Sequence, residues 1–291
     1  MNSDHLRALA AAVDHGTFDA AADSLRISGS AFSQRIRALE RHIGQPLLHR
    51  TVPVTATDAG EHLLRLARQS IALEDETLSA LGVGRTGRTP MPVAVNADSL
   101  ETWFLGVLQR AATWDDVALT VHAEDQAHTA TLLREGTVMG AVTATPEPVS
   151  GCVAVPLGTM RYHPVATRFL AELHADSLGR PDLTRMPVVN YGPRDSLQHR
   201  VLAHAALGSP PHHVIPSVAG YLHAVTRGLG WGMLPASQIS DTVAAGTHPD
   251  LMVLPTLDSV DVPLFWQRWS SGPGSLDRLT EAVLSCADAM R

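Results

Sequence analysis

One short stretch of the chain holds side chains that could recognise a nucleic acid. Positions 26–50 contain five arginines and a single acid, Glu40, which leaves a local net charge of +4 in a chain whose formal net charge is −7. Polar residues recur there at the i, i+3, i+4, i+7 and i+11 spacing of one helix face: Ser30, Ser33, Gln34, Arg37 and Arg41. Serine and glutamine can hydrogen-bond base edges, and arginine can bind guanine or phosphate. The pattern predicts a DNA-recognition helix.

Three amphipathic helices are predicted to position that face. Their apolar stripes are Leu6, Leu9, Ala10 and Val13; Phe18, Ala21, Ala22 and Leu25; and Ala31, Ile36, Leu39 and Ile43. Gly16 ends the first helix, and Thr17 caps the second. A three-residue turn, 26–28, precedes the third helix, which runs from about Gly29 to Ile43. These features predict a helix-turn-helix.

The stretch after Gly44, QPLLHRTVPVTATDAG, is predicted to form a β-hairpin wing. We expect Ser33, Gln34 and Arg37 to contact bases, and Arg35 and Arg50 to hold phosphates. The full predicted DNA-binding set is Ser28, Ser30, Ser33, Gln34, Arg35, Arg37, Arg50 and Pro53.

A long helix is predicted from Thr57 to about Leu81, because Asp58 and Glu61 suit a first turn and apolar residues then recur with helical spacing. The stripe consists of Leu63, Ala67, Ile71, Leu78 and Leu81. It is too long for the small N-terminal domain to cover, so we expect two such helices to pair in a homodimer or homotetramer. Glycines at 82, 84 and 87 then start a linker that ends at Pro90.

From Pro92 onward, short apolar strands alternate with helical patterns, which is typical of parallel α/β sheets. The predicted strands are 92–96, 117–122, 139–143, 186–191, 251–255 and 262–266, and the predicted helices are 99–112, 126–135, 195–206, 217–228 and 274–290. Ligands of such folds bind at the carboxyl ends of the strands. The loops there could equally serve only helix capping or turns.

The chain gives no signal for catalysis, a metal or a cofactor. Cys152 and Cys286 are far apart, and the fifteen histidines follow no metal-binding spacing. The glycine run 228–232 lies between a helix and a strand, the reverse of a nucleotide-binding loop. No apolar run approaches the roughly 18 residues of a membrane helix, and the N-terminus does not resemble a signal peptide. We therefore expect a cytoplasmic protein with no membrane partner.

The run ISGSAFSQRIRALERHIGQPLLHRTVPVTATDAG resembles the DNA-binding signature of the LysR-type transcriptional regulators. The resemblance implies an α/β fold in which a winged helix-turn-helix and a linker helix precede a two-lobed, periplasmic-binding-protein-like effector domain. It implies domains at 1–58, 59–90, 91–162 (completed by 263–291) and 163–262, with crossings near Arg161–Pro164 and Asp258–Pro263. One departure from the family is Val52-Pro53-Val54, where the family often has a basic residue. We therefore expect the wing to bind phosphate more weakly.

Five segments, NADSLETWF, HAEDQAHT, GAVTATPEPVSGC, PVVNYGPRDSLQH and GLGWGMLP, together resemble the ArgP/LysG branch of that family. The resemblance implies a lysine or arginine effector and control of a basic amino-acid exporter gene. We expect Asp98, Ser99 and Thr102 at a helix N-terminus, helped by Thr143 and Thr145, to bind the effector carboxylate. Glu124, Asp125 and Asp195 would accept its cationic ends, and which acid takes the side chain stays open. Tyr191 or Trp103 would pack against its aliphatic stem.

The partners implied are double-stranded operator DNA, the effector and further copies of the chain, and contact with RNA polymerase stays open. The alternative is an architectural or replication-associated DNA-binding protein whose C-terminal lobes only oligomerise. A saturable small-molecule ligand separates these two functions. An enzyme is a third alternative, and it would require a catalytic constellation that the sequence does not reveal.

Overall fold

The computed structural model describes residues 2–83, 88–123, 126–192, 197–239, 248 and 250–290. The chain divides into two compact units. The first unit consists of Met1–Asn96, Gly106–Pro156 and Phe265–Cys286, and the second of Ala97–Leu105, Leu157–Leu264 and Ala287–Arg291. The chain passes from one unit to the other after Asn96, Leu105, Pro156, Leu264 and Cys286. The lobe crossings expected near Arg161–Pro164 and Asp258–Pro263 stay predictions. The sequence did not indicate that 97–105 belongs to the second unit.

Three helices open the first unit: α1 (Ser3–His15), α2 (Phe18–Ser24) and α3 (Gly29–Ile43). Each is preceded by a side chain that accepts a hydrogen bond from a backbone N–H of the first turn, and these caps are Asn2, Thr17 and Ser28. α1 and α3 end at glycines with the left-handed φ that favours this residue. The predicted helix-turn-helix is confirmed.

The three helices enclose one apolar core, to which α3 contributes Phe32, Ile36 and Leu39. Phe32 packs edge-on against Phe18, with ring centroids 5.2 Å apart. The predicted stripe of α3 was therefore wrong in two places: Phe32 takes the core position assigned to Ala31, and Ile43 is exposed. The larger ring removes more apolar surface from water than alanine does, and this decides which residue faces the core.

Two short strands, β1 (Leu48–His49) and β2 (Thr55–Ala56), pair antiparallel and form the predicted wing. The amide of Val54 donates a 2.7 Å hydrogen bond to the carbonyl of Gly16, which ties the wing to the end of α1. Arg50 and Pro53 lie in the connection between the two strands.

The long helix α4 (Asp58–Ala80) is close to its predicted bounds. Its first half packs on α1, and Leu63, Leu64 and Ala67 are buried in the core of the three helices. Much of the predicted stripe therefore faces the chain's own N-terminal domain, which corrects our assignment of it to a partner. Leu81, the last residue of the predicted stripe, follows α4 and is exposed. Within α4, the exposed leucines are Leu66 and Leu73, at 42% and 39% exposure, which lie one heptad apart on another face.

Within the first unit, β3 (Thr89–Val95) pairs in parallel with β4 (Val117–Ala123) and β5 (Gly140–Thr143). The end of β11 (Val260–Trp269) pairs antiparallel with β5. The other helices are α6 (Leu105–Ala111), α7 (Gln126–Arg134) and α12 (Gly274–Ala287). The single helix predicted over 99–112 is instead α5 (Ala97–Leu100) and α6, with a turn between them.

In the second unit, β6 (Cys152–Thr167) pairs antiparallel with β9 (Gly232–Pro235) and β10 (Leu251–Val253), and β7 (Val188–Asn190) pairs in parallel with β8 (His212–Val214). Its helices are α8 (Arg168–Leu173), α9 (Leu197–His204) and α10 (Val218–Thr226), and Asp288–Met290 is 3₁₀-helical. β6, β8 and α8 were not predicted from the sequence, and parallel sheets were expected, whereas β6 and β11 pair antiparallel with their neighbours. β6 was not predicted because Pro156, Gly158 and Pro164 interrupt the apolar run.

Candidate nucleic-acid interface and effector site

The exposed face of α3 carries the predicted recognition residues. Ser30, Gln34, Arg37 and Arg41 are exposed, and Ser33 is half-buried. The Nε of Arg41 donates to the carbonyl of Arg37 at 3.3 Å, which holds this side chain along the helix. A helix face with short polar side chains at one end and arginines at the other suits the major groove. The contacts of individual residues with bases stay predictions.

Ser28 has a structural role at the start of α3. Its Oγ accepts a 3.2 Å hydrogen bond from the amide of Ala31 and lies 3.0 Å from the Oγ of Ser30. Ser28 therefore caps α3, and replacing it would destabilise the start of the helix in addition to any effect on the predicted DNA contact.

The two arginines predicted to hold phosphates each lie next to a carboxylate. Nη2 of Arg35 is 3.2 Å from Oδ2 of Asp4, and Nη2 of Arg50 is 3.8 Å from Oε2 of Glu40. The Arg50 guanidinium also lies over the Phe18 ring, 5.9 Å from its centroid. Ion pairs at a protein surface are worth about 1 kcal/mol or less, so a phosphate can take the place of either carboxylate at little cost.

Asp98 accepts a hydrogen bond in this structure. The phenol of Tyr162 donates to its Oδ2 at 2.7 Å, and the Tyr162 side chain is buried. The two residues are 64 positions apart in the sequence, so the bond depends on how β6 lies in the second unit. An oriented carboxylate favours a cation at this position over the ligand carboxylate that was expected there.

Three other predicted residues follow Asp98 closely. The Thr102 hydroxyl donates to the carbonyl of Asp98 at 2.6 Å and so closes the turn after α5. The Oγ of Ser99 and the Nε1 of Trp103 are buried and have no hydrogen-bond partner among the described residues. Because buried polar atoms are seldom left unpaired, these two atoms are candidates for contact with a polar ligand group.

Tyr191 directly follows β7, and its phenol is influenced by the charge of Asp98. Burial, followed by the negative charges of Asp98 and Glu101, raises the pKa of the Tyr191 phenol. Glu101 and Tyr162 were not among the predicted effector residues. Glu101 was detectable, since it follows Asp98 at the i+3 spacing of one helix face. Tyr162 was not, because β6 itself was missed.

Two buried amide oxygens belong to the chain's second unit. Nε2 of Gln198 donates to the carbonyl of Val189 at 3.0 Å and to the Tyr221 hydroxyl at 2.8 Å, which leaves its Oε1 without a described partner. Oδ1 of Asn190, next to Tyr191, is unpartnered in the same sense. Amide oxygens accept hydrogen bonds, and ammonium and guanidinium groups offer only donors. Neither residue was among the predicted effector residues.

Thr143 and Thr145 belong to the first unit. The buried Thr143 hydroxyl donates to the carbonyl of Thr145 at 3.2 Å, and the Nε2 of Gln267 is 3.1 Å from the same hydroxyl. Gln267 also donates to the carbonyls of Thr145 and Glu147. These bonds close the loop after β5, which is the turn role that the sequence left open for the two threonines.

The predicted acids Glu124, Asp125 and Asp195 lie outside the described residues. Within the described ranges, no group of three or more His, Cys, Asp or Glu side chains could hold a metal ion. No helix in those ranges is both long and apolar enough to span a membrane.

Comparison with known proteins covers nearly the whole chain. Residues 3–61 match the family model for bacterial regulatory helix-turn-helix proteins of the lysR family, and residues 86–284 match the LysR substrate binding domain. The chain is 43% identical over 290 residues to the lysine export transcriptional regulatory protein LysG of Corynebacterium glutamicum, a match that covers 99% of this chain and 98% of the relative.

Two solved structures are similar over the full length. The first is full-length LysG from Corynebacterium glutamicum with bound effector Arg, at 43% identity and a TM-score of 0.83, covering 99% of this chain and 98% of that one. The second is ArgP from Mycobacterium tuberculosis, at 40% identity and a TM-score of 0.87, covering 100% and 98%. Both similarities support one arrangement along the chain: helix-turn-helix, long helix, then effector domain.

Proposed function

Because the chain belongs to the LysR family of bacterial transcriptional regulators, we propose that it binds operator DNA in the cytoplasm as a homodimer or homotetramer and responds to a basic amino acid. Family membership confirms the predicted DNA-binding regulator and rules against an enzyme. The effector, the regulated gene and the assembly are the proposal.

The observation that carries the effector proposal is the Tyr162–Asp98 hydrogen bond in the presence of Glu101. Two carboxylates influence one phenol, and one of them is held by a buried hydroxyl. Such a group attracts a ligand cation, because opposite charges attract strongly where water is partly excluded. The acceptor oxygens of Asn190 and Gln198 add to the preference for a ligand rich in N–H donors.

The two ends of an α-amino acid can then be assigned to different residues. The Ser99 hydroxyl and the Trp103 indole N–H are buried donors suited to the α-carboxylate. The cationic groups fall to Asp98, with Glu124, Asp125 and Asp195 as the other predicted acceptors. Tyr191 packs against the aliphatic stem.

The relatives support the same class of effector. One relative of 43% identity is named a lysine export regulator, and its solved structure carries bound arginine. By analogy, we propose that this chain controls a gene for basic amino-acid export and that lysine or arginine is its signal.

Calorimetry with the full-length protein tests the effector. We expect arginine or lysine to bind and citrulline, the uncharged analogue of arginine, to bind about 10- to 100-fold more weakly, because a charge-assisted bond is worth about 1.5–3 kcal/mol. Asp98→Asn should remove most of this preference. Glu172→Gln, a change at an exposed acid of α8, is the matched control and should retain it.

Equal affinity for arginine and citrulline would contradict the basic amino-acid effector. No binding of any amino acid at millimolar concentration would favour the architectural or replication-associated alternative.

A further inference from the structure

One arginine of the long helix α4 bonds to the helix-turn-helix and to the effector domain at once. Arg68 directs Nη2 at the carboxylate of Asp14 on α1. Its Nη1 donates to the carbonyl of Glu135 at 2.9 Å and to the hydroxyl of Thr137 at 3.1 Å, both in the loop after α7. The Arg68 side chain is only 15% exposed, so water competes little for these bonds.

On the helix-turn-helix side of Arg68, Asp14 lies close in sequence to the residue that joins α1 to the wing. It precedes Gly16 by two residues, and the carbonyl of Gly16 accepts the 2.7 Å hydrogen bond from Val54. A Cβ placed on Gly16 would lie 3.2 Å from Cβ of Pro53, so the backbone and the wing are in close contact there. A change in the position of Asp14 therefore reaches the wing without an intervening flexible segment.

On the effector-domain side of Arg68, the loop after α7 is in close contact with α4. Gly136 has a φ of +70°, and a Cβ there would lie 2.9 Å from Cα of Arg65. The loop leads directly into β5, which ends at Thr143 about 10 Å further on at the usual rise per residue of a strand. The loop after α7 therefore leads into the start of the short, buried strand β5, and Thr143, a predicted effector residue, lies at the end of that strand.

We propose that Arg68 is the positioning residue through which a change in the effector domain is passed to the wing; this inference rests on the proposed effector response. Hydrogen bonds weaken steeply once the donor–acceptor distance or angle departs from its narrow range. When the loop is displaced, the planar guanidinium of Arg68 therefore keeps either its hydrogen bonds to the loop or its bond to Asp14. Arg68 touches neither base nor effector in this role.

The hydrogen bonds that join Asp14, Arg68 and Thr137 are called the relay below. Two conservative substitutions break this relay at opposite ends. Thr137→Val keeps the side-chain shape and removes the hydroxyl on the effector side. Asp14→Asn removes the charge on the DNA side, close to a helix C-terminus where an acid is unfavourable, so unfolding is not the expected outcome. Arg7→Gln is the matched control, because Arg7 joins α1 to α4 through Glu74 and Asp75.

For each full-length variant, we expect calorimetry to give the parent's affinity for arginine and gel shifts to give the parent's affinity for operator without arginine. The arginine-induced change in the DNase footprint should be lost in both relay variants and kept in Arg7→Gln. Relay variants that respond to arginine like the parent would overturn the inference. If the parent binds no basic amino acid, the proposed effector fails separately.

A measurement without effector keeps the inference testable in that case. Hydrogen exchange of the Val54 amide should become about fivefold faster in Thr137→Val, the factor that corresponds to a loss of about 1 kcal/mol. The parent's exchange rate at Val54 in this variant would show that the loop does not influence the wing.

Discussion

The hydroxyl of Tyr162 donates a 2.7 Å hydrogen bond to the carboxylate of Asp98. Tyr162 is buried on β6, whereas Asp98 lies in the four-residue helix α5. The bond gives the Asp98 carboxylate a defined orientation. The preference for a cation that we propose for this site therefore depends on an aromatic residue far away in the sequence.

Tyr162→Phe should weaken arginine binding about fivefold to tenfold, because Asp98 loses the donor that orients it. Phenylalanine keeps the ring and its packing, so the thermal unfolding midpoint should change little. Calorimetry at several arginine concentrations measures the affinity, and Phe169→Leu at an exposed position of α8 serves as the control. An unchanged affinity would mean that Asp98 needs no orientation by Tyr162.

Arg37→Ala and Arg50→Ala should have different effects on DNA binding. Loss of a bidentate base contact costs about 1–3 kcal/mol of discrimination, so Arg37→Ala should bind operator and unrelated DNA more equally. Arg50→Ala should weaken all sequences alike and reduce the salt slope by about one. Gel shifts over a range of salt concentrations measure both, and identical behaviour of the two variants would refute the division of roles.

Leu66→Glu combined with Leu73→Glu should convert the protein into monomers, because both leucines are exposed on one face of α4 and are the residues we expect to pair across a dimer. The N-terminal domain should stay folded, since neither side chain is in its core. Sedimentation at micromolar concentration measures the assembly. Leu178→Glu, at an exposed leucine outside α4, is the control. A double variant that sediments like the parent would exclude this face of α4.

The thiol of Cys152 should react slowly with alkylating reagents at pH 8. Burial raises its pKa to about 11, an effect that the positive charge of Arg65 opposes in part. The thiolate is the reactive form, so alkylation should be about 100-fold slower than for an ordinary cysteine at this pH and should accelerate as the pH rises toward 11. The raised pKa also means that stability is full below the unfolded value near 9 and declines as the pH rises through 11. Peptide mapping after timed alkylation measures the rate, and rapid labelling at pH 8 would contradict the burial.

Gly60→Ala should destabilise the N-terminal domain by about 2 kcal/mol or more, because the added Cβ would come within 1.9 Å of the Leu47 carbonyl oxygen. Gly29→Ala, also in a helix, is the matched control. There the nearest atom to the added Cβ is an Asp19 oxygen at 3.7 Å, and alanine is the better helix former. Urea unfolding of both variants measures the difference, and similar midpoints would contradict the close contact at Gly60.

Local pattern was sufficient for much of the N-terminal domain. The spacing of Leu6 to Val13 and of Phe18 to Leu25, the caps at Thr17 and Ser28, and the exposed polar face from Ser30 to Arg41 depend on neighbours within a few turns of helix. Such features are present in the sequence because helix periodicity and capping are local. The same reasoning identified most strands of the effector domain, and the resemblance of its loops led to the proposed class of effector.

Contacts between segments that are far apart in the sequence could not be predicted from the sequence alone. Periodicity marked apolar residues along α4, but only packing on α1 decided that Leu63 and Ala67 are buried while Leu66 and Leu73 are exposed. The prolines and glycine of β6 concealed a strand whose hydrogen bonds to its neighbours outweigh its local composition. Tyr162 could be matched to Asp98, and Arg68 to Asp14 and Thr137, only after that packing was known. A side-chain contact across many tens of residues is determined by sheet register and helix docking, which local sequence does not encode.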